Sequence, residues 1–327
     1  MKKFKLLLSA FLPVVASLAI QVAASLIVTF WFAVFTTAGL LLEGISDPDQ
    51  MISGMLTLLA DPLFNDILLG VTYVALTAAF LIWYRKQKEK PVPTAFDDVF
   101  CIRNLAIYLT AGLAAQIAVS MCLNLVLPIF PQTYERYMSL LESLVGGNII
   151  VAVAATVVMA PIAEEIIFRE LMSKKLQKLF PFWFANIIQA LTFGIYHMNI
   201  VQAVYAFFLG LLFGYIAHRM RSVWASVMFH GMVNASGLVL DIILPDALME
   251  STSGMIIFAV LCGTITLLLT MLYRFPQDYA TVTAASLPEG TVTDILPDTS
   301  EPGTSEPDTS EAGASDAVSE LSDADSV

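Results

Sequence analysis

Charged side chains are scarce in this chain of 327 residues, of which only 13% are Asp, Glu, Lys or Arg. A soluble domain carries about 25% charged residues. Here hydrophobic residues make up 57% of the chain, and its mean hydropathy is +0.77. This composition excludes an ordinary soluble protein and predicts that a lipid bilayer surrounds most of the chain.

Cysteine is also scarce. Cys101, Cys122 and Cys262 lie far apart in apolar runs and form no CxxC pair. Such spacing excludes a disulfide framework and a zinc knuckle. We interpret the three thiols as small buried hydrophobic side chains.

Lysine and arginine are absent after Arg274, whereas residues 275–327 contain twelve Asp and Glu. The net charge of −12 therefore lies entirely in this tail. No basic surface for nucleic acid is left, so we expect no nucleic-acid partner. The tail repeats TSEP-like units that cannot bury enough apolar surface to fold. We predict that it is disordered and acidic.

Long apolar runs are abundant. A helix needs roughly 20 apolar residues to cross a hydrocarbon layer of about 30 Å. The eight candidate spans lie near 7–42, 64–84, 104–130, 146–168, 182–198, 200–217, 222–244 and 254–273. The basic start of the first run resembles a signal peptide, but the run continues to Leu42 and favours an uncleaved anchor. We expect an all-α polytopic membrane protein with about eight transmembrane helices.

Loops rich in lysine and arginine alternate along the chain with loops that contain few of them. They are frequent at the N-terminus, in 85–103, in 174–178 and in 219–221, but are absent from 43–63 and nearly absent from 131–146. The excess of basic residues in cytoplasmic loops then predicts that both termini are cytoplasmic. A chain of this kind would suit a bacterial plasma membrane.

The stretch PIAEEIIFREL at 161–171 places charges inside an apolar run. A charge at mid-bilayer costs roughly 2.5–3.5 kcal/mol on insertion scales. Glu165 and Arg169 are four residues apart in the order that favours a helical ion pair. Glu164 points about 140° away from Arg169 around the helix axis. Arg169 is therefore expected to neutralise Glu165 and leave Glu164 available; the alternative is an interfacial ion pair that marks the helix end.

Only three histidines occur in the chain. His197 ends the fifth apolar run, and His230 lies in the seventh, with Asn234 one turn later on the same face. His218 lies in a basic loop and is interpreted as an ordinary interfacial residue. The intramembrane polar groups each need a partner away from lipid. We therefore expect them to meet around a buried polar cavity that is open to the cytosol.

This set of residues supports hydrolysis. A shielded glutamate such as Glu164 can act as a general base toward water, and an imidazole can share that work. His230 and Asn234 can donate hydrogen bonds to an oxyanion, or bind a metal together with Glu164 and His197. No Ser or Cys stands beside these residues as an obvious nucleophile, so water attack on an amide is the predicted reaction.

Three segments together resemble a known family. EEIIFR (164–169), FGIYH (193–197) and HGMVN (230–234) are similar to the signatures EExxxR, FxxxH and HxxxN of the CPBP family, in that order. That family groups the type II CAAX prenyl endopeptidases with bacterial proteins linked to bacteriocin processing and self-immunity. The resemblance covers about residues 145–240 and implies a multi-span α-helical intramembrane protease.

The resemblance also implies roles for single residues. Glu164 resembles the water-activating residue, and Glu165 and Arg169 complete the first motif. His197 resembles the catalytic histidine partner of Glu164. The implied substrate is a membrane-associated or lipidated peptide or protein within the bilayer.

His230 and Asn234 resemble the pair that binds a metal or stabilises the oxyanion. A divalent metal such as zinc would have Glu164, His197, His230 and Asn234 as its candidate ligands. This set is a poorer zinc site than three strong ligands. Metal-dependent and glutamate-only chemistry both stay open at this point.

The depths of the residues raise a geometric question. His197 lies about 22 Å along a helix that starts near Phe182. Glu164 lies within about two turns of the end of its own predicted span. We therefore expect FPFWFAN (180–186) to form an interfacial turn before the fifth span, since aromatic residues favour that boundary.

Other functions are weighed against the same sequence. The motif HExxH is absent, which argues against a site-2-type metalloprotease, and GxGD is absent, which argues against a presenilin-type aspartyl protease. NASG (234–237) is similar to the GxSG of rhomboids and would make Ser236 a nucleophile. A non-catalytic immunity or regulatory protein could use the polar groups to bind partner helices. A transporter could use them in a proton relay.

The predicted organisation has four parts. N-terminal transmembrane helices occupy 1–144, and the CPBP-like catalytic core occupies 145–240. The last transmembrane helix lies within 241–274, and the disordered acidic tail follows at 275–327.

Overall fold

The computed structural model describes residues 2–59, 61–87, 99–126, 129–243 and 260–269, with a few positions between 253 and 271. The chain divides into Met1–Asp278 and Tyr279–Val327. The tail predicted to be disordered, 275–327, lies outside the described residues, as do parts of the predicted last span, 254–273. The predicted boundaries of the four parts stay predictions.

The described residues form helices and turns, with no strand among them. The helices are α1 Lys2–Leu42, α2 Pro48–Leu59, α3 Pro62–Arg85, α4 Ile102–Val126, α5 Pro131–Val145, α6 Ile149–Gln177, α7 Phe182–Tyr196, α8 Ile200–Arg219, α9 Val223–Ile243 and α10 Val260–Leu269. The all-α prediction is thus confirmed for the described part of the chain.

Five described helices are long and apolar enough to cross a membrane. They are α1, α3, α4 over Ile102–Leu123, α6 and α8. Two apolar helices, α7 and α10, are shorter. The protein is therefore an integral membrane protein, while the predicted count of eight spans stays a prediction.

Short polar residues define several helix starts. Asp61 accepts a hydrogen bond from the Leu63 amide at 2.8 Å, and Pro62 occupies the first helical position of α3. Asn148 caps α6 through the Ile150 amide, and Asn199 caps α8 in the same way. These side chains satisfy amides that have no partner inside the helix.

Helix α6 lies at the centre of the bundle. Helices α1, α3, α7, α8 and α9 all pack against parts of it. The largest side chains that are completely buried around it are aromatic, and they include Phe168, Phe193, Phe213 and Phe229. The polar residues of the EEIIFR segment are therefore enclosed by protein instead of lipid.

Helix α6 contains two π-helical stretches, Ala154–Met159 and Ile166–Ser173. In the first, the Ala160 amide bonds to the carbonyl five residues back, at Ala155. The next donor in that pattern would be Pro161, which has no N–H. The carbonyl that it leaves, at Thr156, accepts a hydrogen bond from the Asn234 amide at 2.8 Å. A side chain of α9 thus satisfies a backbone group of α6 that the proline leaves open.

The length of α6 corrects one expectation. The predicted span ends at 168, but the helix continues to Gln177, because the polar residues from Arg169 onward are buried against neighbouring helices instead of ending it. Glu164 therefore lies about 20 Å from the end of α6, and His197 lies about 22 Å from the start of α7. The two residues thus lie at similar distances from the ends of two helices that residues 178–181 connect. The interfacial turn predicted over 180–186 stays a prediction; Phe180 and Pro181 precede the helix, which begins at Phe182.

Candidate active site

The carboxylate of Glu165 is the centre of the polar cluster. Its Oε1 accepts hydrogen bonds from Arg169 Nη1 and from His230 Nδ1, each at 2.9 Å. Its Oε2 accepts one from the Ser226 hydroxyl at 2.6 Å. Glu165 has no exposed surface. With three donors, including one arginine, this carboxylate is held in its charged form, and its complete burial leaves no surface for a reacting water.

Arg169 is enclosed by aromatic rings and backbone. Its guanidinium carbon lies 4.4 Å from the ring centre of Phe193 and 5.2 Å from that of Phe213. Its Nη2 donates to the Gly210 carbonyl at 3.2 Å. The predicted pairing with Glu165 is observed, and the rings and carbonyl stabilise the buried cation further.

His230 lies between the two glutamates. A charged carboxylate only accepts hydrogen bonds, so Nδ1 of His230 donates to Glu165 and Nε2 of the neutral ring keeps its lone pair. That Nε2 lies 3.9 Å from Oε2 of Glu164. The ring stacks on Phe213, with centroids 4.4 Å apart, which fixes its plane. The two adjacent glutamates thus contact opposite edges of one imidazole.

Glu164 is buried like its neighbour but has fewer partners. Its closest charged or titratable contact is the 3.9 Å approach to His230, which is too long for a direct hydrogen bond. Its carboxylate also interacts electrostatically with the phenols of Tyr73 and Tyr196. The Tyr196 hydroxyl is held by Gln21 of α1 at 2.6 Å. Glu164 therefore keeps the capacity to accept a proton.

Asn234 lies one helical turn after His230 on α9. One of its two amide hydrogens is used by the Thr156 carbonyl. Next to it, a Cβ placed on Gly231 would meet the Val157 carbonyl at 2.9 Å, so glycine allows α9 to approach the π-helical turn of α6. The structure thus gives Asn234 a structural contact and leaves its second amide hydrogen for another partner.

His197 lies at the C-terminal end of α7. Its Nδ1 donates to the Phe193 carbonyl at 2.8 Å, which leaves the Nε2 lone pair available. The Phe193 ring packs against both imidazoles, with centroids 4.9 Å from His197 and 6.0 Å from His230. His197 therefore borders the same aromatic side chain as the cluster, but it makes no recorded contact with Glu164.

The structure brings part of the predicted set together. Glu164, Glu165, Arg169 and His230 form one contact cluster, while Asn234 and His197 bond to backbone carbonyls beside it. Within the described part of the chain, no three His, Cys, Asp or Glu side chains are arranged to hold a metal ion. The metal site predicted from Glu164, His197, His230 and Asn234 stays a prediction.

Ser226 is a site residue that the sequence reasoning missed. Its single O–H donates to Oε2 of Glu165 at 2.6 Å, and the Phe213 carbonyl lies 3.0 Å from the same hydroxyl oxygen. Ser226, His230 and Asn234 are spaced by four residues, so they share one face of α9. The four-residue spacing could have identified Ser226, because it lies one helical turn before the HxxxN segment on the same face of α9.

A second missed group supports Arg169 from α7. Gln189 donates to the Gly210 carbonyl at 2.9 Å, the same oxygen that Arg169 uses. Asn186 accepts from Gln189 at 2.8 Å and donates to the Leu211 carbonyl at 3.0 Å. These amides fix α8 against α7 and so fix the position of the Arg169 acceptor.

Ser236, the candidate rhomboid-like nucleophile, lies on the same helix. Its hydroxyl donates to the Met232 carbonyl one turn back at 2.7 Å. No imidazole or carboxylate contacts that hydroxyl within the described residues. This geometry provides no base to activate Ser236.

Comparison with known proteins agrees with the three signatures. Residues 146–236 match the family model for the Rce1-like type II CAAX prenyl endopeptidases. The chain is also similar to the Bacillus subtilis (strain 168) protein named "Putative membrane peptidase YdiL", with 26% identity over 108 residues. That alignment covers 33% of this chain and 43% of the relative, so the chain spans less than half of its length. No solved structure matches.

The match coincides with the residues that build the cluster. Its limits, 146 and 236, enclose both glutamates, Arg169, both histidines and Asn234. The three signatures and the matching family model therefore point to the same segment. Over residues 146–236 this membrane protein is thus similar to the CPBP family, which includes the type II CAAX prenyl endopeptidases.

Proposed function

We propose that this protein is an intramembrane endopeptidase that hydrolyses a peptide bond of a membrane-associated or lipidated peptide or protein. The observation that carries the proposal is the approach of Glu164 Oε2 to His230 Nε2 at 3.9 Å, inside a buried site. Both atoms accept hydrogen bonds, and each belongs to a side chain held by the surrounding fold. This pair is suited to orient and deprotonate one water molecule.

The attacking water would donate one hydrogen to Glu164 and the other to Nε2 of His230. Two acceptors 3.9 Å apart can both reach one water at ordinary hydrogen-bond lengths. As the water oxygen bonds to the carbonyl carbon of the substrate, Glu164 takes its proton. Glu165 accepts the hydrogen bond from Nδ1–H of His230. The ring is thereby kept in the tautomer whose Nε2 can accept a hydrogen bond from the water.

The negative charge on the substrate oxygen needs a hydrogen-bond donor. Asn234 follows His230 by one turn and has a second amide hydrogen beyond the one used by Thr156. We assign oxyanion stabilisation to that hydrogen. Collapse of the intermediate breaks the C–N bond, and the proton held by Glu164 passes to the leaving amine. The products are a carboxylic acid, which retains the second hydrogen of the water, and an amine; transfer of that proton between them gives a carboxylate and an ammonium group.

No step of this mechanism passes through a metal. Of the four candidate ligands, Glu164 and His230 approach each other at 3.9 Å, and within the described residues no three His, Cys, Asp or Glu side chains form a metal-binding group. Water activation is therefore assigned to the side chains themselves. We therefore expect a chelator to leave the reaction rate unchanged.

The orientation in the membrane is part of the proposal. Lys175 Nζ donates to the Ser9 carbonyl at 2.8 Å, which joins the end of α6 to the start of α1. Phe182 stacks on His218 with centroids 3.8 Å apart, which joins the start of α7 to the end of α8. The lysine- and arginine-rich segments thus meet at one end of the bundle. By the positive-inside rule we assign this end, with the N-terminus, to the cytoplasm of a bacterial cell.

Peptide cleavage by the purified full-length protein tests the function. Wild type, Glu164→Gln and His230→Ala would be reconstituted in liposomes with a library of quenched fluorogenic peptides, with lipidated members included. Glu43→Gln, a change of the same kind at an exposed loop position, is the matched control. Each form would be measured with and without a chelator, and mass spectrometry would identify the cleaved bond.

We expect cleavage by wild type and by Glu43→Gln, and losses of at least 100-fold in the other two variants, as for removal of a general base. Cleavage that persists in Glu164→Gln would contradict the assignment of the base. Activity that disappears with the chelator in every form would contradict the metal-free mechanism. Absence of cleavage by every form across the library would favour a non-catalytic membrane protein.

A further inference from the structure

A cavity of about 190 Å³ lies where the ends of α6 and α8 meet the start of α9. The side chains that line it include Arg169, Ser173, Lys174, Arg221 and Ser222. Neither Glu164 nor Glu165 nor His230 contributes to this lining. The cavity is larger than the roughly 30 Å³ that one water occupies. The cavity therefore adjoins the candidate catalytic cluster and shares Arg169 with it, but none of the proposed reacting groups lines it.

The charges in the cavity are mostly positive. Arg169, Lys174 and Arg221 line it with one carboxylate, that of Glu170, which pairs with Lys174. No ion pair or side-chain hydrogen bond engages Arg221 within the described residues, and the Ser222 hydroxyl likewise has none there. The cavity thus contains donors that no acceptor of the described chain uses.

Arg169 contributes a further positive charge to the cavity wall. The residue is only 4% exposed, and no group of the described chain accepts a hydrogen bond from its Nε–H. Its two terminal nitrogens are used by Glu165 and by the Gly210 carbonyl. A buried donor without an acceptor is costly, and here it belongs to a side chain that lines the cavity.

The start of α9 adds backbone donors. Val223 begins this helix of 21 residues, and it lines the cavity together with Ser222. The first amides of a helix have no partner within it, and its N-terminus carries a partial positive charge. A helix start beside arginine and lysine is a favourable place for an oxyanion.

Arg221 occupies this position at a conformational cost. Its φ is +49°, in the left-handed region that costs a side-chain-bearing residue about 1–2 kcal/mol. Glycine would adopt this conformation without that cost. An arginine therefore strains the turn but adds a cation to the cavity.

We propose that this cavity binds a phosphate-type oxyanion, either the headgroup of an anionic lipid or free phosphate. Arg221, Lys174, Ser222 and the amides at the start of α9 supply donors from several elements, which suits an anion with several oxygens. This binding does not depend on peptide cleavage.

Phosphate binding by the full-length protein tests the proposal. Phosphate would be titrated into wild type in an uncharged detergent, with chloride at matched ionic strength as the control for screening. Calorimetry would give the dissociation constant, and the rise of Tm with ligand would confirm binding to the folded state. The variants are Arg221→Gln and Arg221→Gly, with Arg85→Gln, an exposed arginine outside the cavity, as the matched control.

We expect one saturable site in wild type and in Arg85→Gln, and at least tenfold weaker binding in both Arg221 variants. Arg221→Gly should have a Tm without phosphate at least as high as wild type, because the left-handed strain is removed. Weak binding in that variant would then reflect the lost cation and not a failure to fold. Binding that is equal in wild type and both Arg221 variants, or absent from all, would overturn the proposal.

Nanodiscs distinguish the two sources of the oxyanion. If the lipid headgroup is the ligand, phosphatidylglycerol should raise the Tm of wild type relative to phosphatidylcholine, and the rise should be lost in Arg221→Gln. If free phosphate is the ligand, the same affinity should be measured in both lipids. A lipid effect that is equal in wild type and Arg221→Gln, without phosphate binding, would contradict both.

Discussion

Nδ1 of His230 lies 2.9 Å from Oε1 of Glu165, and this hydrogen bond determines which nitrogen of the ring is left for chemistry. The charged carboxylate accepts a hydrogen bond from Nδ1–H, so the lone pair of Nε2 is directed toward Glu164. Glu165 thereby organises the site without reacting, and Glu164 is available to react. The two adjacent glutamates have different environments and, in our proposal, different roles.

The variants Glu164→Gln and Glu165→Gln should therefore fail in different ways. Glu164→Gln removes the proposed base but no ion pair, so we expect turnover to fall by about 100- to 10,000-fold with Tm nearly unchanged. Glu165→Gln leaves the buried Arg169 without its counter-charge, which costs about 3–5 kcal/mol. Thermal unfolding in detergent and peptide cleavage would be measured on both. Equal losses of Tm would contradict this division of roles.

Ser226→Ala tests the second oxygen of Glu165. The variant loses a hydrogen bond of 2.6 Å to a buried carboxylate, which should lower the free energy of unfolding by about 1.5–3 kcal/mol. Turnover should also fall, because Glu165 would shift relative to His230. Ser236→Ala is the matched control on the same helix. Its hydroxyl bonds only to the carbonyl one turn back, so its removal should change Tm and turnover little. If both variants behave alike, Ser226 does not position Glu165.

The sequence predicted the cluster better than its surroundings. Four-residue spacing correctly paired Glu165 with Arg169 and placed His230 and Asn234 on one face, because helical periodicity is local. The end of α6 was predicted too early, since buried charges such as Arg169 look in the sequence like the end of a span. The contact from Asn234 to Thr156 could not be predicted either. It depends on a π-helical turn and on the packing of α9 against α6, which no local pattern specifies.

Asn234→Ala combined with Pro161→Ala separates two roles of the asparagine. Asn234→Ala alone leaves the Thr156 carbonyl without its donor, which should cost about 1–3 kcal/mol of stability, and it removes the proposed oxyanion donor. Pro161→Ala restores a backbone N–H next to that carbonyl and should recover part of the stability in the double variant. Turnover should stay low in the double variant, because the oxyanion donor is still missing. Recovery of turnover together with Tm would show that Asn234 acts only as a structural residue.

His197→Asn isolates the second nitrogen of the histidine. The asparagine amide can replace Nδ1 as the donor to the Phe193 carbonyl, now made at 2.8 Å, but it has no equivalent of Nε2. We expect Tm to fall by little and turnover to fall by at least tenfold, as for loss of a catalytic imidazole. His197→Gln, which places its amide nearer the Nε2 position, should recover part of the turnover. Since His197 contacts Phe193 and not Glu164 in this structure, wild-type turnover in His197→Asn would assign the residue to packing around Phe193 instead of to catalysis.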